Sequence, residues 1–431
     1  MSGRVPSGWP DGRLQRTAPG ANHGRLPAFL CFTMTTATTQ AALETTDAQP
    51  LAEPKESVSQ ASQPARLISL DVFRGLTVAA MILVNNPGDW GHIYAPLEHA
   101  KWHGCTPTDL IFPFFLFIVG VSISYALGAA RQQPATHGAA MLRVLRRAAL
   151  LFGLGLLMAL YPKFEFGTVR IPGVLARISW VFLACGILFL KTSRRQQIGL
   201  LVLLLVGYNV LLQLVPVPGF GPANLEPETN LGAWLDRVVF TEAHLWKQSR
   251  TWDPEGLLGT LPAIATGLLG ILTGQYLRRR ELEPAVRVAQ LFVAAAGLIV
   301  AGLIWNEWFP INKSLWTSSY VLYTGGLATA ALALLYWLCD AQGRRGWWTR
   351  FGQVYGVNAI TVFFLSGIVA KTLGAIKVTA ANVSLKSWLY NTFFTPYFSP
   401  VNASLAGALV CVLIWFGVLW LMYRKGVIIK V

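Results

Sequence analysis

Three of the six histidines in this 431-residue sequence crowd into one stretch, NNPGDWGHIYAPLEHAKWHGCTPTDLIFPFF, residues 85–115. His92, His99 and His103 share it with Asp89, Glu98 and Asp109, and with Asn85 and Asn86. Imidazole gains and loses a proton near neutral pH, so such a cluster can act as a general base or carry an acyl group. Two other readings stand beside that one. A solvated loop needs no chemistry to explain its histidines, and His99 with His103 has the i, i+4 spacing that would put two metal ligands on one helix face. Gly104 and Pro107 argue against a helical turn there and the stretch offers no clear third ligand, so no metal is expected.

Other polar residues fall within or beside apolar runs: Asp71 with Arg74, Asp109, Arg177 and Asn358. Ionisable groups at membrane depth are costly and usually pair or line a polar cavity. Asp71 and Arg74 have the i, i+3 spacing of a helix-end ion pair. Arg177 and Asn358 suit either interhelical hydrogen bonds or contact with a ligand. Glu255, in a Pro-Glu-Gly turn, is expected to cap the helix that follows it. Trp316 is expected as an interfacial anchor at the end of a span.

The elements that must position these groups are apolar helices. Hydrophobic residues make up 54% of the chain and charged residues 13%, and mean hydropathy is +0.48, more apolar surface than a water-soluble domain of this length could hide. Windows near the 20 residues needed to cross a bilayer recur at 68–87, 108–130, 142–160, 172–191 and 197–215, then at 256–277, 286–306, 315–339, 351–371 and 401–423. The expected fold is therefore all-α, a polytopic transmembrane helix bundle of about ten spans. A polar, Pro/Gly-rich loop at 216–255 divides it into two groups of five. Residues 1–65 lack apolar periodicity and read as a disordered N-terminal tail before a membrane domain at 66–431, with Met34 an alternative start.

Lys and Arg gather in alternate loops: Arg131, Arg143, Arg146 and Arg147; Lys191, Arg194 and Arg195; Arg278, Arg279 and Arg280; Arg344, Arg345 and Arg350; Arg424 and Lys425. The positive-inside rule makes these loops and both termini cytoplasmic, with the histidine stretch facing outward. The same rule accounts for the net charge of +15 without nucleic acid. Cys31, Cys105, Cys185, Cys339 and Cys411 are single and scattered, and read as small hydrophobes.

The segments SLDVFRG (69–75), LVNNPG, EHAKWHG and TDLIFPFFLFIVG (108–120) resemble the catalytic domain of the heparan-α-glucosaminide N-acetyltransferase family of transmembrane acyltransferases. IPGVLARI (171–178), DPEGLLGTLPAI (253–264), PINKSLWTSSYV (310–321) and YGVNAI (355–360) continue the resemblance in order, so it covers nearly everything after residue 65. It implies transfer of an acetyl group from cytoplasmic acetyl-CoA to an amino sugar across the membrane. The histidine of the family's H-A-x-W-x-G segment falls on His99 and its asparagine near the end of the first span on Asn85, the implied catalytic pair. Asn85 would hold the imidazole or polarise the thioester carbonyl. The resemblance also implies a pocket role for Asn312 and Lys313, and Asp109, Arg177 and Asn358 are candidate pocket residues by their place in or beside the spans.

The chain departs from the human-type pattern in having only the tail before the membrane domain, and in Trp102-His103-Gly104 where that pattern has W-N-G. An amino sugar from cell-wall or chitin turnover, or a glycan component, is then the expected acceptor. The implied partners are acyl-CoA, the sugar and the lipid bilayer, with a homodimer also allowed, in a bacterial inner membrane. A permease that moves an amino sugar without chemistry is the rival reading for the same ten spans.

Overall fold

The computed structural model describes residues 67–279, 281–378 and 382–429. The tail at 1–65, the alternative start at Met34 and Arg280 lie outside the described residues.

The sequence folds into helices α1 (Ile68–Asn85), α2 (Ile111–Ala126), a short α3 (Gly128–Gln132), α4 (His137–Leu160), α5 (Val174–Lys191), α6 (Arg194–Leu214), α7 (Leu231–Phe240) and α8 (Thr260–Leu277). They are followed by α9 (Pro284–Asn306), α10 (Ser318–Tyr336), α11 (Trp347–Val357), α12 (Ala359–Ala375), α13 (Leu385–Phe393) and α14 (Pro400–Arg424). Among the described residues, eight helices are long and apolar enough to cross a membrane, or nine when α11 and α12, bent by 74° at Asn358, count as one span. The remaining expected span, 142–160, lies in α4, 24 residues long, where Arg143, Arg146 and Arg147 place three charges in the stretch and each of those eight spans has a window with at most two.

The enclosed and the lipid-facing helices differ in composition. α8 is the most enclosed, with 72% of its span buried, and α14 the least, with 17%. Lipid offers no hydrophobic drive for helices to associate, so close backbone approach must supply the contact energy through van der Waals packing. Glycine provides that approach where α2 meets α8: a Cβ on Gly120 would lie 2.0 Å from the Gly267 carbonyl oxygen, and one on Gly270 2.1 Å from that of Phe117. Phe117, Leu268 and Tyr320 pack into one core across α2, α8 and α10.

Successive long helices run in alternate directions, which collects the loops at two ends. One end carries the histidine stretch, the segment between α4 and α5, residues 215–259 and the turn between α9 and α10. Residues 215–259 contain the helix α7, so this stretch is more ordered than its composition suggests. The start of α1 and the chain after α14 lie at the opposite end. There Asp340 accepts the Ile68 and Ser69 amides, at 3.0 and 2.9 Å. The Asn358 side chain donates to the Val427 carbonyl and accepts from the Ile429 amide. Asp71 and Arg74 form the expected ion pair at 3.0 Å, and Arg74 also reaches Ser122.

Candidate active site

The start of α2 fixes the geometry of the site. Thr106-Pro107-Thr108-Asp109 is a capping box: the Asp109 Oδ2 accepts from the Thr106 amide at 3.0 Å and from its hydroxyl at 3.1 Å, with Pro107 in the first turn. The Ala100 amide adds a third donor at 3.1 Å. Those bonds hold the carboxylate rigidly, with its side chain 1% exposed, and leave Oδ1 to pair with His99 Nδ1 at 2.6 Å. The His99 side chain is half exposed, so its other nitrogen, Nε2, can meet a substrate.

Lys313 completes the cluster from the turn between α9 and α10. Its Nζ stands 3.2 Å from both ring nitrogens of His99 and 3.9 Å from Asp109 Oδ1. Equal distances put the ammonium over the face of the imidazole, because a position in the ring plane would drive it into Cε1. Burial pushes Lys313 below the ordinary lysine range, with Glu255 and Asp109 pulling the other way. The turn is shaped by Asn312, which is fully buried. Its Oδ1 accepts from the Leu315 amide at 2.8 Å and its backbone amide donates to Thr317 Oγ1 at 3.0 Å. The Gly104 amide donates to the Ile311 carbonyl at 2.7 Å, which ties the histidine stretch to this turn.

Trp316 is the interior residue of the turn and not an interfacial anchor. It is 1% exposed, with φ of 56°, packed on Phe112 and Tyr320, and its indole N–H donates to Thr266. The Arg177 guanidinium lies over its ring at 5.1 Å. Arg177 is fully buried in α5. It donates from Nη2 to the Gly256 carbonyl at 2.8 Å, while Nε and Nη1 have no hydrogen-bond partner among the described residues.

Glu255 does not cap α8, which begins five residues later, at Thr260. Instead Arg170 reaches across to it at 2.5 Å and grips Asp253 with two bonds at 2.8 and 2.6 Å. Burial alone would raise Glu255, but Arg170 and Arg177 outweigh it and hold the carboxyl below its ordinary value. Asp236 on α7 accepts the Leu257 amide, and burial lifts its carboxyl to about 7. A Cβ on Gly256 would fall 1.9 Å from Asp236 Oδ2, so a side chain there would displace that carboxyl. Arg170, Asp253 and Asp236 escaped sequence reasoning. The signal for the first two lay in the short motifs RIPG and DPEG, which put opposite charges beside Pro-Gly turns.

The remaining expected residues separate from this cluster. Asn85 is exposed at the end of α1, where it lines a cavity of 680 Å³. Among the described residues no hydrogen bond joins it to His99, and the carboxylate of Asp109 holds the imidazole that Asn85 was expected to hold. Asn358 is at the opposite end, its amide occupied by the chain after α14. His103 lies 3.4 Å from the Asn312 side chain and not beside His99, because residues 101–104 form no helix, so the i, i+4 face for a metal does not arise. His92 pairs with Asp89 at 2.6 Å, both well exposed, and Asp89 bonds with Ser404 to dock the loop on α14. Burial and Asp109 push the Cys105 thiol up to about 12, which makes it a poor nucleophile.

The geometry gives an imidazole held through Nδ1 by a carboxylate, with a cation over its ring. Residues 66–305, which hold His99 and Asp109, match the family described as heparan-alpha-glucosaminide N-acetyltransferase, catalytic. The heparan-alpha-glucosaminide N-acetyltransferase of Homo sapiens is similar, 31% identical over 355 residues, covering 70% of this chain and 52% of the relative. That of Mus musculus is 28% identical over 370 residues, covering 73% and 55%. The chain spans about half the length of the curated relatives it matches.

Proposed function

On the premise that this chain belongs to the heparan-α-glucosaminide N-acetyltransferase catalytic family, we propose that it is a membrane acetyltransferase passing the acetyl group of acetyl-CoA to an amino sugar or glycan. The observation that carries the reading is the His99–Asp109 pair with Lys313 over the ring. The Nδ1 proton is committed to Asp109, which leaves the Nε2 lone pair for the acceptor. The acceptor nitrogen attacks the thioester carbonyl while Nε2 removes its proton. The C–S bond then breaks, and the departing thiolate takes that proton back from Nε2. The negative charge that develops on oxygen and then on sulfur is of the sign that the Lys313 ammonium stabilises.

The residues from 66 to 431 act in this reading as one catalytic membrane domain. Arg143, Arg146, Arg147, Arg194, Arg195, Arg344 and Arg345 belong to the end opposite His99, which supports a cytoplasmic assignment for that end and for both ends of the chain. Acetyl-CoA then enters from the cytoplasm and the acceptor is met outside, in a bacterial inner membrane. The acceptor is a cell-wall or chitin-derived amino sugar, or a glycan component.

The test is acetyl transfer from labelled acetyl-CoA to a panel of amino sugars by the purified protein, with His99→Ala alongside. The expected result is acceptor-dependent release of CoA that drops by about 10²- to 10⁴-fold in the variant, the usual worth of a general base. Unchanged transfer in His99→Ala removes the site assignment. Accumulation of labelled sugar in vesicles without any acyl donor would favour the permease reading.

A further inference from the structure

The cavity of 680 Å³ is lined by Asn85 and Arg170 but not by His99, Asp109 or Lys313. It is enclosed by α1, α4, α5 and α12, with the segment between α4 and α5 and residues Trp246 and Lys247 at its mouth. Its lining descends one face of α12 in helical steps, from Gly374 through Ala370 and Gly367 to Phe363. At a rise of about 1.5 Å per residue that is about 17 Å, over half of a hydrocarbon core of about 30 Å. Its apolar walls include Met81, Ile82, Met158, Leu175 and Phe363. Ser366 lies among them, with its hydroxyl already donated to the Phe363 carbonyl.

The mouth is of different character. Lys247 and Lys371 both face it and both are exposed. Among the described residues neither has a carboxylate within ion-pair distance. Lys371 reaches only backbone carbonyls, those of Met158 and Tyr161. Arg170 also lines the cavity but is already held by Asp253 and Glu255. Lys163 and Glu165 also line the cavity and pair with each other at 3.9 Å. Two ammonium groups without a carboxylate partner beside apolar walls complement a molecule with an anionic head and an apolar chain.

We propose that this cavity binds a lipid-borne phosphate, with its chain along α12 and its head between Lys247 and Lys371, and that this lipid carries the acceptor sugar. The second part rests on the acetyl-transfer reading, whereas the binding does not.

The experiment takes the full chain in detergent and follows saturable binding by native mass spectrometry. The probes are dodecyl phosphate, its uncharged counterpart dodecanol, inorganic phosphate and acetyl-CoA. Dodecyl phosphate binds, dodecanol and inorganic phosphate bind at least tenfold more weakly, and acetyl-CoA does not compete. Lys247→Gln, at an exposed side chain with little effect on folding, weakens dodecyl phosphate at least fivefold, and Lys247→Glu weakens it further. Equal binding of dodecanol, equal binding of inorganic phosphate, or displacement by acetyl-CoA each overturns the cavity assignment. In a second arm, glucosamine joined to dodecyl phosphate is acetylated with a KM at least tenfold below that of free glucosamine. Equal KM values overturn the acceptor assignment. Binding without acetylation of either sugar removes the acetyl-transfer reading and the acceptor part with it, and leaves the lipid site standing.

Discussion

Asp340 and Asp109 perform the same service at opposite ends of the bundle. Each is a carboxylate that accepts backbone amides where a helix begins. Asp340 spends both oxygens on α1, one on Ile68 and one on Ser69. Asp109 meets three donors with Oδ2 and keeps Oδ1 for His99. The asparagines differ in a related way: Asn358 gives both ends of its amide to the chain after α14, whereas Asn312 folds a turn that brings Lys313 over an imidazole. The difference separates framework from site. Asp340 and Asn358 are taken up by backbone partners, whereas Asp109 holds an imidazole whose side chain is half exposed.

Substitutions at the two ends can break that contrast. The largest effect is expected for Asp109→Asn, whose amide would present an N–H toward Nδ1 and favour the wrong tautomer. The turnover rate falls by about 100-fold or more, measured by acetyl transfer, with the fold retained because the side-chain oxygen can still accept from Thr106. Next is Lys313→Met, expected to lower the rate about tenfold by removing a cation from charge developing in the transition state. Burial sets Lys313 below the ordinary lysine range, so the wild-type rate declines on the alkaline side as the ammonium is lost. In Lys313→Met that limb disappears from the pH–rate profile.

A smaller effect tests the buried carboxyl of Asp236. Its value rises from the ordinary 3.8 to about 7 on folding, so the folded chain holds a proton that the unfolded chain has lost between those values. Stability from this group is full below 3.8 and is lost as the pH rises through about 7. Thermal melts of Asp236→Asn from pH 5 to 8 should therefore be flatter than those of the wild type. The smallest expected effect is at the opposite end: Asp340→Ala costs about 1 kcal/mol of stability, as lost helix caps do, and leaves the turnover rate unchanged. A fall in turnover there equal to that of Asp109→Asn would erase the distinction.

The spans were legible because twenty-residue hydropathy is a local property, and the windows at 68–87 and 401–423 coincide with α1 and α14. The 74° bend at Asn358 was not legible, since it depends on a side chain bonded to residues about seventy positions later. The histidine stretch attracted attention through composition, and His99 and Asp109 do meet. Their pairing needed the capping box, whose sequence Thr-Pro-Thr-Asp was visible but whose spare oxygen was not. The clamp of Arg170 on Asp253 and Glu255 joins positions more than eighty residues apart and left only a faint local trace. Trp316 was misjudged because a tryptophan near a span end is commonly interfacial, and only packing on Phe112, Tyr320 and Arg177 identifies it as interior.

The shared carboxylate of Asp109 couples two events that could otherwise be independent. Whatever draws His99 away from Oδ1 also tugs on the group that fastens the first turn before α2, so substrate capture and fraying of that turn share one free-energy coordinate. Amide hydrogen exchange at Ala100 and Thr106, whose protons rest on the same carboxylate, thereby becomes a spectator of the imidazole.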